Sequence, residues 1–90
     1  MKFEWDPAKD AKLREERGLS MELAKTAWED PKAVEIRADD RGELRWALIA
    51  KLMNKIHVVI FTRRGETIRL ITMRRAHPDE ERFYEEKADR

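Results

Sequence analysis

Cysteine is absent from the chain, which excludes a disulfide framework and a thiolate zinc site. The two histidines, His57 and His77, make a poor metal set by themselves, so neither metal nor cofactor is expected. Long apolar runs are missing too. The longest, Trp46–Ala50 and Ile56–Phe61, fall far short of the roughly 20 residues that a membrane span requires. No apolar core follows Met1, so no secretory signal is predicted and the expected compartment is the cytoplasm. Repeats and low-complexity stretches are also lacking. What is abundant is charge: Asp, Glu, Lys and Arg make up 43% of the 90 residues, against about 25% in an average soluble domain. That length holds one domain, taken as residues 1–90, and leaves no room for a second core.

The 20 basic and 19 acidic side chains nearly cancel, but they are unevenly placed. Residues 1–43 carry a net −3 and residues 78–90 another −3, while residues 44–77 carry +7. Both histidines fall in that basic block. A chain that is neutral overall yet concentrates one sign on one element usually binds something of the other sign there. The alternative is that these arginines only neutralise the acidic flanks or form a solvated face.

Local signals give the order of elements. Lys2–Trp5 alternates and suits a short strand. Asp6-Pro7 starts a helix over Ala8–Arg17, and Gly18 ends it. Ser20 caps a second helix that buries Met21, Ala24 and Trp28 and stops at Asp30-Pro31, so the two helices form a hairpin. Ala33–Arg37 is a short strand. Leu44–Lys51 reads as a strand with one buried face of Leu44, Trp46, Leu48 and Ala50. A turn at Asn54 leads to the apolar, β-branched Ile56–Thr62, a central strand. Arg64-Gly65 makes a hairpin turn into Thr67–Arg75, and Pro78 opens a helix with three acids in its first turn. The fold class is α+β: a short amino-terminal strand and a helix hairpin packed on a small antiparallel sheet, with a carboxy-terminal helix.

The basic strands can grip a phosphate backbone, because Arg pairs bidentately with phosphate oxygens. Cleaving RNA without a metal needs more. A base must take the 2′-OH proton, cations must stabilise the pentavalent phosphorane, and an acid must protonate the leaving 5′-oxygen. Candidates gather where the last strand meets the last helix: Arg74, Arg75, His77, Glu80 and Tyr84. Positions 77, 80 and 84 follow helical spacing and can share a face. Each also has a structural reading. Glu80 can serve the helix dipole, His77 can cap the helix, and Tyr84 can be a core ring with a wet hydroxyl. His57, inside the apolar strand, reads as a structural histidine, and Trp5, Trp28 and Trp46 occupy core-like positions.

Several stretches resemble the BrnT toxin family. Phe3-Glu4-Trp5-Asp6-Pro7-Ala8-Lys9 is similar to its opening F-x-W-D-x-x-K, and Gly18–Ala24 to its G-hydrophobic-S-F-x-x-A. Ala27 to Pro31 fits its F-x-D-P. The most specific block is Arg64–Ala76, continuing to Glu80 and Tyr84, which resembles R-G-x-x-I-R-I-I-S-A-R-x-A…E…Y. The resemblance implies a RelE-like fold and the toxin half of a bacterial type II toxin–antitoxin pair. It also implies a BrnA-like antitoxin with a ribbon-helix-helix DNA-binding domain, and contact with DNA only through that antitoxin. At the end of the first helix the family's N-x-x-K-H-G is replaced, with Leu13, Glu16 and Arg17 standing for Asn, Lys and His. Arg17 cannot act as a base at neutral pH, so proton transfer would pass to another group such as His77.

The expected function is therefore a metal-independent ribonuclease toxin that inhibits translation. Arg74, Glu80, Tyr84 and His77 are its catalytic candidates, and Lys9, Arg17, Arg45, Arg69 and Arg75 its candidates for binding RNA phosphates. The altered Asn-Lys-His pattern favours a second reading, a binding protein of the same fold that acts only within an antitoxin or repressor complex. A third reading is an interaction domain whose arginines serve an acidic protein.

Overall fold

In the computed structural model, which describes residues 1–38 and 42–89, Asp6 and Pro7 open the first helix as the sequence predicts. The Asp6 carboxylate accepts the Ala8 amide at 2.9 Å, and helix α1 (Pro7–Arg17) ends where Gly18 turns left-handed at φ +66°. Ser20 caps helix α2 (Met21–Lys25) by accepting the Leu23 amide at 3.1 Å. The expected continuous helix to Asp30 instead tightens into a 3₁₀ turn over Thr26–Glu29. There the Thr26 hydroxyl donates to the Leu23 carbonyl at 2.6 Å, a back-bond that competes with regular helix. Asp10 locks the hairpin by accepting the Met21 amide at 2.8 Å with one oxygen and Arg14 with the other.

The strands are β1 (Lys2–Trp5), β2 (Val34–Arg37), β3 (Trp46–Leu52), β4 (Lys55–Arg64) and β5 (Thr67–Arg75), and helix α3 (Pro78–Ala88) closes the chain. They form one sheet in the order β1-β5-β4-β3-β2. β1 lies parallel to β5, and every other pairing is antiparallel.

Each face of the sheet carries its own core. On the hairpin face, Leu48, Ala50, Val59, Phe61, Leu70 and Met73 meet Leu13, Met21, Ala24 and Ala27. Trp28 stands edge-on to both Phe61 (4.9 Å between centroids) and Phe3 (5.1 Å), tying the hairpin to β4 and β1. Such pairs contribute about 0.5–1.5 kcal/mol each beyond their burial. On the other face, Ala47, Ile49, Ile56 and Val58 meet Tyr84, with Phe83 beside it. The single buried face expected for Leu44–Lys51 is thus corrected. β3 starts at Trp46 and buries both faces, because α3 covers the side opposite the hairpin, and Leu44 lies outside the strand.

One irregularity decides where the last arginines point. β4 and β5 pair in register from Phe61↔Leu70 towards the hairpin turn, then resume as Ile60↔Thr72, so Ile71 is an extra residue on β5. A bulge of this kind flips the side-chain phase beyond it. Ile68 and Leu70 face the hairpin, and so does Met73, three residues after Leu70. Arg74 consequently points to the α3 face and Arg75 back to the hairpin face, opposite His57.

The β3–β4 turn is built from Met53 and Asn54, with φ of +50° and +62°. Asn tolerates this left-handed region, whereas Met does not favour it. Met53 is 67% exposed, so little packing offsets the strain. Met53→Asn should raise stability by about 0.5–1 kcal/mol, read as a higher denaturation midpoint at unchanged m-value. A lower midpoint would show that the methionine side chain contributes more than its backbone costs.

Candidate functional site

The bulge places Arg74 beside the first turn of α3. Its guanidinium donates to both oxygens of Glu80, at 2.7 and 2.9 Å, in a bidentate pair that is partly buried. Glu80 also accepts the His77 amide at 2.7 Å, so one carboxylate caps the helix and holds the arginine. Arg74, ahead of the opposing cost of burial, lowers the Glu80 pKa to about 2. Glu80 therefore stays ionised across the physiological range, and in this state it has no proton to donate.

Helix α3 covers only part of its face of the sheet. The uncovered part is a cleft of about 570 Å³ lined by Arg37, Arg45, Ile60, Thr72, Arg74 and Glu80, among others. The Arg45 Nε is buried there with no hydrogen-bond partner among the described residues. Such a donor is costly unless a water or a ligand oxygen meets it. Among the described residues that line it, three guanidinium groups thus share an apolar floor with a single carboxylate already committed to one of them. The arrangement suits a ligand with several anionic oxygens.

The other predicted residues divide into groups. His77 is exposed, with its Nδ1 3.6 Å from Glu80, but it lines a different cleft, together with His57 and Arg75. Tyr84 does share a face of α3 with Glu80, but it opens onto a different cleft, and its hydroxyl donates to Asp30 at 2.8 Å. Burial first, and then the Asp30 carboxylate, push the Tyr84 pKa up to about 12. Asp30 is an anchor in its own right, also accepting the Lys32 and Lys51 amides at 2.9 Å. Arg69 pairs with Glu4 at 2.7 Å near the hairpin-turn end of the sheet. Arg45 lies with Arg74, whereas Arg75 faces the opposite side of the sheet. Lys9 and Arg17 line a smaller groove between α1 and the bulged edge of β5, and Arg17 donates to the Met73 carbonyl at 2.7 Å. Among the described residues, no three His, Asp or Glu side chains converge as metal ligands, and no helix is long and apolar enough to cross a membrane.

Residues 5–80 match the profile of a family described as ribonuclease toxin, BrnT, of type II toxin-antitoxin systems. The chain belongs to the BrnT family. No curated protein matches the chain. The matched span runs from Trp5 in β1 to Glu80, so it contains the bulge, Arg74 and the carboxylate that holds it. BrnT toxins belong to type II systems, which implies an antitoxin partner.

Sequence reasoning overlooked one residue of the site, Arg37, and one anchor of the helix behind it, Asp30. Arg37 lies on edge strand β2, outside the basic block, and only the sheet order brings it to the cleft. Asp30 reads as a helix stop, yet its three bonds join the hairpin, β3 and α3. The pattern Asp-Pro after an amphipathic helix carries no hint of a distant tyrosine.

Because Tyr84 is the only tyrosine, its ionisation can be followed directly by tyrosinate absorbance. It should titrate near pH 12 rather than near 10. The raised pKa stabilises the fold fully below about pH 10, and that contribution is lost as pH climbs through about 12. Asp30→Ala should bring the midpoint down. An unmoved midpoint would mean that burial alone sets it.

Proposed function

We propose that this BrnT protein cleaves RNA without a metal, in the cleft around Arg74, and that a BrnA-like ribbon-helix-helix antitoxin silences it. The cytoplasm is the compartment in which such an RNA target would be met. DNA would be reached only through the antitoxin. The carrying observation is the bidentate Arg74–Glu80 pair, set in a cleft with Arg45 and Arg37. The pair fixes the Arg74 guanidinium beside Arg45 and Arg37, and a phosphate would meet its remaining donors or take the place of Glu80.

In the proposed reaction the ribose 2′-oxygen attacks the adjacent phosphorus and the bond to the 5′-oxygen breaks. The products are a 2′,3′-cyclic phosphate and a 5′-hydroxyl. Arg74 and Arg45 offset the negative charge that builds on the phosphorane oxygens. Glu80 is a positioning residue: ionised and bonded to Arg74, it aims the fork and does not carry the proton. His77, exposed beside the pair, is the residue assigned to proton transfer. Tyr84 acts through its bond to Asp30, fixing α3 and therefore Glu80. Lys9, Arg17, Arg69 and Arg75 are assigned to the flanking phosphate backbone, with Arg69 reaching it only if it leaves Glu4.

The commitment of Glu80 and Tyr84 to structural bonds also supports a second reading, in which the protein binds its antitoxin but turns over RNA poorly or not at all. A cleavage assay in excess chelator separates the two. The parent should cut RNA with the chelator present, and Arg74→Ala should lose about 10²–10³-fold in rate while remaining folded, with a lower thermal midpoint because Glu80 loses its partner. Chelator-sensitive cleavage would overturn metal independence. An Arg74→Ala protein that cuts at the parental rate would overturn the assignment of the cleft. A folded parent that binds antitoxin yet leaves RNA intact would establish the second reading.

A further inference from the structure

The basic block splits into two populations. Towards the Gly65 turn the arginines are paired: Arg63 with Glu35, Arg64 with Glu43 at 3.2 Å, and Arg69 with Glu4 at 2.7 Å. At the opposite end of β4 and β5, Arg17, Lys55 and Arg75 have no carboxylate within 4 Å among the described residues. These three line a second cleft, of about 550 Å³, on the hairpin face together with His57 and His77. Arg74 lines this cleft as well as the first.

Uncompensated cations crowded into one concavity repel one another and cost stability, so a fold that keeps them implies an anion that meets them. Their placement is built, not incidental. The bulge at Ile71 turns Arg75 to this face. Arg17 is pinned by its bond to the Met73 carbonyl. The buried His57 holds the start of strand β4 by an Nδ1 contact of 2.9 Å to the Lys55 carbonyl, which fixes the backbone that carries Lys55. Burial foremost, with the neighbouring Arg75 and Lys55, lowers the His57 pKa from its ordinary value against the opposing bond to the Lys55 carbonyl.

We infer that this second cleft is a phosphate subsite for the same RNA strand, so that the substrate passes around the end of β5 with Arg74 at the crossing. The inference rests on the RNA reading above and deepens it. It adds Lys55 as a phosphate-binding residue and restricts the substrate to single strands. The two clefts open on opposite faces of one sheet, and only a flexible single strand can turn around the strand end to enter both. A rigid duplex would reach one or the other.

The test measures binding of a 2′-O-methyl oligoribonucleotide, which cannot be cleaved, as a function of salt. For single strands each neutralised phosphate contributes about 0.7 to the slope of log K against log salt. Lys55→Ala combined with Arg75→Ala should reduce the slope by about 1.4, since both side chains are exposed and their loss leaves the core intact. Arg64→Ala, which removes a paired cation at the far end, should leave the slope as it was. The parent should also bind the single-stranded oligonucleotide more tightly than the same sequence in a duplex. An unchanged slope in the double variant would overturn the inference, and if that variant instead lost affinity for poly-glutamate, the cleft would belong to an acidic protein segment. A parent that binds with the expected slope but never cuts unmodified RNA would sustain this inference while overturning the cleavage reading. A parent that cuts RNA with no slope difference between the variants would do the reverse.

Discussion

One ion pair organises the candidate site: Arg74 and Glu80 bind through two parallel hydrogen bonds, and each end of the pair is fixed by a different device. The arginine is aimed by an extra residue in β5, without which the alternation of Ile68 and Leu70 would carry it under the helix hairpin. The glutamate is aimed by its place in the first turn of α3, where it also caps the helix through the His77 amide. α3 is in turn held by Tyr84 on Asp30 and by the packing of Tyr84 and Phe83 on the sheet. A fault in the bulge, the cap or the Asp30 anchor would therefore reach the same guanidinium. The fork that binds a carboxylate in the free protein has the geometry that binds a phosphate, so Glu80 both orients the ligand site and occupies part of it.

The charge pattern gains meaning from this arrangement. A domain with 43% charged residues can hide most of its cations in surface pairs, and the turn end of β4 and β5 does so. Such exposed pairs contribute little to stability. Arg17, Lys55 and Arg75 around the other end are different, because among the described residues no carboxylate lies within 4 Å of them, and Arg17 and Arg75 are set in place by a backbone bond and a bulge. The central net charge of +7 is therefore two features, one a set of cations paired at the surface and the other the set proposed above to meet phosphate.

Much of the fold was legible in the sequence because its signals are local. Asp6-Pro7, Ser20 and Pro78 marked three helix starts, Gly18 and Gly65 marked two chain reversals, and β-branched residues marked β4. The bulge was not legible, since Ile71 looks like any other strand residue and only pairing with Ile60 and Phe61 makes it extra. The two-sided burial of β3 depended on where α3 would dock, which no pattern within residues 44–51 encodes. The site was legible as a list but not as a geometry. Arg74, Glu80 and His77 do come together, whereas Tyr84 and Arg69 had partners far along the chain, at Asp30 and Glu4.

The central claim is that Arg74 acts through the shape of its fork and not through charge alone. Replacement by lysine keeps the charge and removes the second parallel hydrogen bond to Glu80 or to a phosphate. The direct measurement is the RNA cleavage rate of Arg74→Lys beside its affinity for the uncleavable oligonucleotide. The account predicts a cleavage loss approaching that of Arg74→Ala, about 10²-fold or more, with binding reduced only slightly. Cleavage at the parental rate in Arg74→Lys would contradict it.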